Sequence, residues 1–280
     1  MKKIISSLVA SGMLIAAVAP SYASASSITP LNELSVESSV LTEGITVDGN
    51  YIPSGATAVT VDISNNTGFD NSKTVLELGE AFDVIEGVDN KPLVTNGSTF
   101  DDSLVCAVEI DNVITVVSAS ADVKENDGSL FTFYVNVNEN CEDKEISILD
   151  VNENRYESLN LDSNNRTVYY YGDANGDSII DARDASLVLT VVTNDTNYPN
   201  HRLPINYVQN NITSLFPNIP YAKIVDTFTQ VTYDAYGNPI WNNNYVSEED
   251  AYDILTYYAI SSATESSTVY TGMCGEPFNP

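Results

Sequence analysis

The segments LVCAVEI at residues 104–110 and VITVVS at residues 113–118 indicate the fold class of this 280-residue chain. Apolar and polar residues alternate in both, a pattern typical of strands that bury one face in a sheet. The same alternation occurs in AVTVDI (58–63), VLEL (75–78), LFTFYVNV (130–137) and ISIL (146–149), and Asn, Asp and Gly residues separate the segments. Short strands at such close spacing predict a mainly β region, an antiparallel β-sandwich over residues 40–163.

The character of the sequence changes near Tyr169. DASLVLT at residues 184–190 and DAYDILT at residues 250–256 match without gaps at Asp, Ala, Leu and Thr, and both have helical periodicity. We therefore expect a small α-helical module with paired loop–helix repeats over residues 164–268. An irregular insertion at about residues 195–236 separates the helices and is either a structured clasp or a mobile loop, and residues 269–280 form a tail.

The first repeat contains a candidate calcium loop, DANGDSIIDARD at residues 173–184. Oxygen-bearing side chains occupy loop positions 1, 3, 5, 9 and 12, and position 7 offers a backbone carbonyl: Asp173, Asn175, Asp177, Asp181, Asp184 and the carbonyl of Ile179. Calcium takes about six to eight oxygen ligands, so this spacing predicts one Ca²⁺. Position 12 is Asp instead of Glu, and position 6 is Ser178 instead of Gly. The competing interpretation is an Asx-rich turn that caps a helix without a metal.

The second repeat has a poorer loop. Counting back from Asp250 without gaps places Pro239 and Trp241 at positions 1 and 3, where neither side chain is a ligand. A longer loop from Asp234, using Asn238 or one of the asparagines at 242–244, then Ser247 and Asp250, could close on a second ion. If it does not, packing holds the second helix.

The N-terminus is typical of a secretory signal peptide. Lys2 and Lys3 precede an apolar run, and the small residues at 23–25 predict cleavage after about Ala25, followed by a linker at residues 26–39. The 11 Lys and Arg against 39 Asp and Glu give a net charge of −28, which excludes a nucleic-acid binder and disfavours an anionic membrane surface. We expect a secreted protein without a membrane span, extracellular or attached to a cell surface through protein contacts.

The cysteines support neither a disulfide scaffold nor a zinc site, because Cys106, Cys141 and Cys274 form an odd set without CxxC spacing. A bridge between Cys106 and Cys141 stays open beside a buried Cys106 thiol and two surface thiols.

The loop and the repeated helix start resemble the type I dockerin module of cellulosome-type assemblies, in which Asp at loop position 12 is usual. The resemblance implies that the six loop residues named above ligate calcium. It also implies that repeat-matched residues face a cohesin on a larger scaffoldin: Ala182, Arg183, Leu189 and Thr190 in the first copy, and Glu248, Glu249, Leu255 and Thr256 in the second. The spacing between the copies is about twice that of the family.

The sandwich is similar to a cohesin, a jelly-roll type of fold, in the order of its strands and turns. The residues that carry this are TVDI (60–63), NNTGF (65–69), DVIEG (83–87), NVITVVS (112–118) and GSLFTF (128–133). The resemblance implies that the sandwich receives the dockerin of a secreted glycan-degrading enzyme, with Asn71 and Lys73 at the contact positions.

These features lead to a hypothesis of a non-catalytic adaptor scaffoldin in a polysaccharide-degrading complex. The first alternative is a carbohydrate-binding sandwich that carries a dockerin, with polysaccharide as a partner, and the second is a dockerin-bearing glycoside hydrolase accessory protein. An enzyme is disfavoured because no GxSxG-type nucleophile motif is present and the one histidine, His201, lies in the insertion.

Overall fold

The computed structural model of the protein describes residues 33–87, 90–154, 169–211, 225–227, 232–233, 239–240, 245–263, 270 and 272–278. The expected signal peptide, the start of the linker, and Asp234 and Asn238 of the second loop lie outside the described residues.

Eleven strands build the first part of the described chain: β1 Glu33–Val40, β2 Ile45–Val47, β3 Asn50–Ile52, β4 Thr57–Ser64, β5 Phe69–Leu78, β6 Phe82–Val84, β7 Val94–Asn96, β8 Leu104–Ile110, β9 Val113–Lys124, β10 Gly128–Val137 and β11 Ile146–Asn154. They form two antiparallel sheets and a β2–β3 hairpin. The first sheet has the order β1-β4-β10-β6, with β7 also paired to β10, and the second sheet has the order β11-β5-β9-β8. The predicted mainly antiparallel sandwich is confirmed, including each of the six segments from which it was inferred.

The interior between the sheets is apolar because the inward positions of each strand carry large side chains. Phe69 and Phe100 stack there with ring centroids 5.0 Å apart, and Leu76, Phe131 and Phe133 are fully buried beside them. Burying such a cluster is the main favourable contribution to the folding of the sandwich.

Strand β1 corrects the boundary of the expected linker at residues 26–39. From Glu33 onward the chain pairs with β4, residue by residue from Glu33↔Ser64 to Val40↔Thr57. Only Leu34 and Val36 of this edge strand pack toward the sandwich core, while its Ser and Glu residues face solvent. This weak apolar signal explains why the segment resembles a linker in sequence.

Nine short elements follow in the described chain: β12 Tyr169–Tyr170, α1 Ala182–Thr193, β13 Arg202–Pro204, α2 Ile205–Asn211, β14 Thr232–Tyr233, β15 Pro239–Ile240, β16 Tyr245–Ser247, α3 Glu248–Ala263 and β17 Pro277–Phe278. We call these elements and their connections the loop–helix region. Its described strands pair as β12–β17, β13–β16 and β14–β15, so the start and end of the region are joined. The insertion contains ordered structure, since Leu203 of β13 and Val208 of α2 are buried in the core.

Helices α1 and α3 lie against the outer face of the second sheet. Their apolar side chains share one core with Cys106 of β8 and with Val117 and Ala119 of β9. The sandwich and the loop–helix region are therefore in direct contact in this structure. No helix of the described residues is long and apolar enough to cross a membrane.

Candidate functional site

The backbone of residues 173–184 curls tightly because two of its residues adopt the left-handed conformation. Gly176 has a φ of 76° and Ser178 a φ of 71°. Ser178 thus takes the conformation for which calcium loops use Gly at position 6, at the usual cost of a side chain at positive φ. The departure from the usual sequence at this position does not change the course of the loop.

Side chains of the loop accept hydrogen bonds from its own backbone. The amide of Ser178 donates to Asp173 Oδ2 at 3.1 Å, that of Asp177 to Asn175 Oδ1 at 2.8 Å, and that of Ile179 to Asp177 Oδ1 at 2.8 Å. These bonds hold three oxygen-bearing side chains on the inside of the curl. The Ile179 side chain points outward and is exposed, whereas Ile180 packs against the helical core.

Asp184 anchors the loop to α1. Its Oδ1 accepts from the amide of Asn175 and its Oδ2 from the amide of Asp181, both at 2.9 Å. Asp181 caps the helix in return, since its Oδ1 accepts from the amide of Arg183 at 2.9 Å, which completes a capping box. Burial, followed by the nearby carboxylates of Asp181 and Asp173, raises the pKa of Asp184 well above its ordinary value, although the two amide bonds oppose the shift.

Arg183 supplies positive charge at the loop. Its guanidinium lies 2.7 Å from Asp181 Oδ2 and 2.9 Å from Asp177 Oδ2. The hydrogen bond to Asp181 is the main reason that the pKa of Arg183 is raised. Arg183 therefore neutralises part of a cluster of four carboxylates, two of which, Asp173 and Asp184, are buried.

The donor set fits calcium by its chemistry. All the predicted ligands present oxygen, and buried carboxylates are costly without a compensating cation. A hard divalent ion would offset the negative charge of the loop carboxylates that Arg183 does not neutralise. The side chains accept hydrogen bonds from backbone amides, and the described residues contain no group of three or more His, Cys, Asp or Glu side chains placed as a metal site. Calcium binding therefore stays a prediction.

The second repeat reproduces the anchor without the loop. Asp250 is fully buried; its Oδ2 accepts from the amide of Ser247 at 2.8 Å and its Oδ1 from the amide of Thr227 at 2.9 Å. Ser247 and Thr227 thus stand where Asp181 and Asn175 stand in the first repeat. Thr227 lies before Asp234, where the predicted second loop begins. Two positions before Thr227, where the first repeat has Asp173, the second repeat has the buried Val225. Within the described residues, the second helix is held by a carboxylate, a hydroxyl and backbone amides.

The residues that the family resemblance assigned to partner contacts divide into two groups. Arg183, Glu248 and Glu249 remain accessible, and Glu248 pairs with His201. In contrast, Ala182, Leu189, Leu255, Thr256 and Asn71 are buried within this chain.

Two of the assigned threonines meet the sandwich. Thr190 Oγ1 donates to the carbonyl of Ala121 at 3.1 Å, and Thr256 Oγ1 lies 3.6 Å from Cys106 Sγ. Of the two residues assigned on the sandwich, Lys73 is mostly buried and pairs with Asp150 at 3.0 Å. In this structure the chain's own sheet occupies the position that a separate partner was expected to take.

Sequence reasoning missed Ser186 and Lys91. Ser186 Oγ donates to the carbonyl of Asp70 at 3.1 Å, and the Lys91 ammonium lies 5.3 Å from the ring centroid of Tyr252. Lys91 belongs to no motif, and Ser186 lies in the repeated segment at residues 184–190 but not at one of its matched positions. A serine on an amphipathic helix carries no signal of a long-range contact. None of the three cysteines is in a disulfide, and Cys274 is buried with Asp253 beside it instead of lying at the surface.

Comparisons with known proteins give likenesses to cohesins. No protein-family model matches the chain, and no curated protein matches it significantly. Among solved structures, a non-cellulosomal cohesin from the archaeon Archaeoglobus fulgidus is 25% identical with a TM-score of 0.26, over 34% of this chain and 67% of that one.

Two further solved structures come from bacteria. A type I cohesin–dockerin complex from Clostridium thermocellum is 17% identical with a TM-score of 0.28, over 40% of this chain and 80% of that one. The second type II cohesin module of an adaptor scaffoldin from Acetivibrio cellulolyticus is 12% identical with a TM-score of 0.29, over 34% and 67%. TM-scores this low do not define the fold, which is established here by the strand pairing.

Proposed function

We propose that the chain is a secreted, non-catalytic adaptor that works by protein–protein recognition. In this proposal the cohesin-like sandwich receives the dockerin of a glycan-degrading enzyme, and the dockerin-like loop–helix region docks to a cohesin of a larger scaffoldin. Tethering an enzyme in this way raises its local concentration without any chemistry by the adaptor itself.

The observation that carries the proposal is the repeated helix on the face of the sheet. Thr190 and Thr256 occupy the same position in the two sequence repeats, and each contacts the second sheet of the sandwich. The pair of helices and the sheet are therefore complementary surfaces. This arrangement favours recognition of a helical partner by the sheet, as a cohesin–dockerin pairing requires.

The carbohydrate-binding alternative lacks such support. Sugar-binding modules stack sugars on exposed aromatic rings, but in the described part of the sandwich Phe69, Phe100, Phe131 and Phe133 are fully buried, and the strongly exposed aromatic side chain is Tyr51. One exposed ring does not form a stacking platform.

Calcium has a structural part in the proposal. Bound at the loop, the ion would supply positive charge to Asp173, Asn175, Asp177, Asp181, Asp184 and the carbonyl of Ile179. These residues shape the entry to α1 and orient its first turn, which carries Arg183. A ligand that binds only the folded loop stabilises it by an amount that grows with the logarithm of the ligand concentration above the dissociation constant.

The test is binding of the full chain to two purified probes, a dockerin-bearing glycoside hydrolase and a cohesin module of a scaffoldin, measured by calorimetry in calcium and in EDTA. We expect at least one probe to bind in calcium and to be released by EDTA. Retention of the chain alone on insoluble polysaccharide, or hydrolysis of a glycan panel, would replace the proposal with the corresponding alternative.

A further inference from the structure

The contact between the second sheet and the two helices has the composition of a protein–protein interface. Its centre on the sheet consists of the small buried residues Cys106, Val117 and Ala119. Polar contacts accompany this centre: Ser186 with the carbonyl of Asp70 and Thr190 with that of Ala121 on the second sheet, and Lys91 of the β6–β7 connection over the ring of Tyr252. An apolar centre with a polar rim is typical of surfaces that dock.

The two sides of this interface have separate cores. The sandwich interior is complete without the helices, since its buried cluster is drawn from strands of the two sheets and the turns between them. The described chain contributes nineteen buried residues to the cluster shared with the helices, and sixteen of them belong to the loop–helix region. Among the described residues, the sandwich interior therefore contains no helix residue, and the cluster under the helices belongs mostly to the loop–helix region.

Within the described residues, no backbone-to-backbone hydrogen bond joins the two sides across this face. In the described parts of the chain, the strands after residue 168 pair with one another and none pairs with a strand of either sandwich sheet. Backbone ladders make separation cooperative with unfolding, whereas a side-chain interface can open while both sides stay folded.

The internal repeat of the helices meets the sheet symmetrically. Thr190 contacts β9 near its end, and the matching Thr256 contacts Cys106 on β8. The same residue type therefore recurs at the same helical position and contacts the same sheet in both copies, while Thr190 Oγ1 also lies 2.8 Å from the carbonyl of Ser186 in its own helix.

We propose that the outer face of β11-β5-β9-β8 is a docking surface for a helix pair, and that α1 and α3 of the same chain occupy it in cis as a separable lid. A net charge of −28 opposes association of two copies, which favours the chain's own helices over those of a second molecule. The proposal rests on the proposed function in one respect: this covered face is the surface that would receive an enzyme's dockerin.

The alternation of β8 provides a test of the lid in the full chain. Cys106 faces the helices, and the next residue, Ala107, faces the sandwich interior. Thiol labelling is measured at Cys106 of the wild type and at the relocated thiol of the double variant Cys106→Ala/Ala107→Cys, with the site identified by peptide mass spectrometry. We expect labelling of Cys106 to be at least about tenfold faster, because it requires only opening of the lid. Equal rates, both matching global unfolding, would show a single cooperative core and overturn the proposal.

A second variant tests whether the helices that cover the sheet belong to the same chain. Its result does not depend on the comparison of labelling rates. Thr256→Cys places a thiol opposite Cys106, whose Sγ lies 3.6 Å from Thr256 Oγ1. We expect oxidation to form an intramolecular disulfide in a monomer, with the oxidised wild type as the control. Disulfide-linked dimers without this monomeric product would show that a second copy is the occupant and would overturn occupation in cis.

The same variant connects the lid to partner binding. A dockerin-bearing enzyme should bind the reduced variant and not the oxidised one, with recovery on reduction. Equal binding to both forms would overturn the identification of the covered face as the partner surface. Fast labelling of Cys106 together with no binding in any form would instead refute the proposed function and leave the docking surface in cis established.

Discussion

Replacing Asp184 by asparagine should remove most of the calcium dependence of the stability of this protein. Asp184 is fully buried and both of its oxygens accept backbone amides, from Asn175 and from Asp181, at 2.9 Å. An asparagine amide has one oxygen, so one buried N–H loses its acceptor, which costs about 1–3 kcal/mol. In EDTA the loss of stability should lie at the lower end of this range, because the neutral asparagine side chain also relieves the repulsion between residue 184 and the carboxylates of Asp181 and Asp173.

Calcium adds a second increment that the variant should lose. At a calcium concentration about 100 times the dissociation constant, an ion that binds only the folded state stabilises it by about 2.7 kcal/mol. In a chain of this size each kcal/mol shifts the melting temperature by roughly 2–4 °C, so the wild type should melt about 5–11 °C higher in calcium than in EDTA. Asp184→Asn should show a much smaller difference.

Asp250→Asn is the matched control for this prediction. Asp250 is equally buried and accepts the amides of Ser247 and Thr227, so its replacement breaks the same kind of anchor. The described residues around it do not include a counterpart of the 173–184 loop. We expect Asp250→Asn to lower the melting temperature in both buffers and to keep the calcium increment, measured by calorimetry. Equal calcium increments in the two variants, or none in the wild type, would refute the assignment of the ion to the first loop.

Three further predictions concern the charge and contacts of the loop–helix region. Arg183→Gln should lower the melting temperature more in EDTA than in calcium, because the guanidinium is the cation that pairs with two loop carboxylates, each within 3 Å. Arg183→Lys should lower the melting temperature by about half as much. A decrease that is the same in calcium and in EDTA would contradict this prediction. Burial raises the pKa of Asp226 to about 6 from 3.8, so its contribution to stability is present below about pH 4 and lost as the pH rises through 6. The melting temperature of Asp226→Asn relative to the wild type should therefore increase between about pH 5 and pH 7, and a constant difference would show that this carboxyl does not titrate there. Ser186→Ala should cost about 1 kcal/mol in denaturant unfolding through loss of its bond to the carbonyl of Asp70, and should speed labelling of Cys106 if the helices form a lid.

The strands and the first loop could be predicted from sequence because their signals are local. Alternation over residues 104–118 and 130–137 follows from the pleat of a strand, and the five oxygen side chains of residues 173–184 lie within one turn-and-helix start. Strand β1 was missed because an edge strand buries only one side of its surface, and here only Leu34 and Val36 face inward. Ser247 and Asp250 were named for the second repeat, but the contact of Asp250 with Thr227 was missed because Thr227 lies 23 residues before Asp250 and no local pattern connects them.

The sequence by itself determined that the chain is acidic, that a sandwich precedes a pair of repeated helices, and that one repeat carries oxygen ligands at calcium-loop spacing. Those properties depend on composition and on residues a few positions apart. Only the tertiary structure decided that the helices cover the second sheet, since this requires Thr190 to meet Ala121 and Thr256 to meet Cys106, 150 residues apart in the latter pair. A surface that is suited to a partner in trans has the same sequence pattern as one that is filled in cis, because both require the same small apolar centre and polar rim.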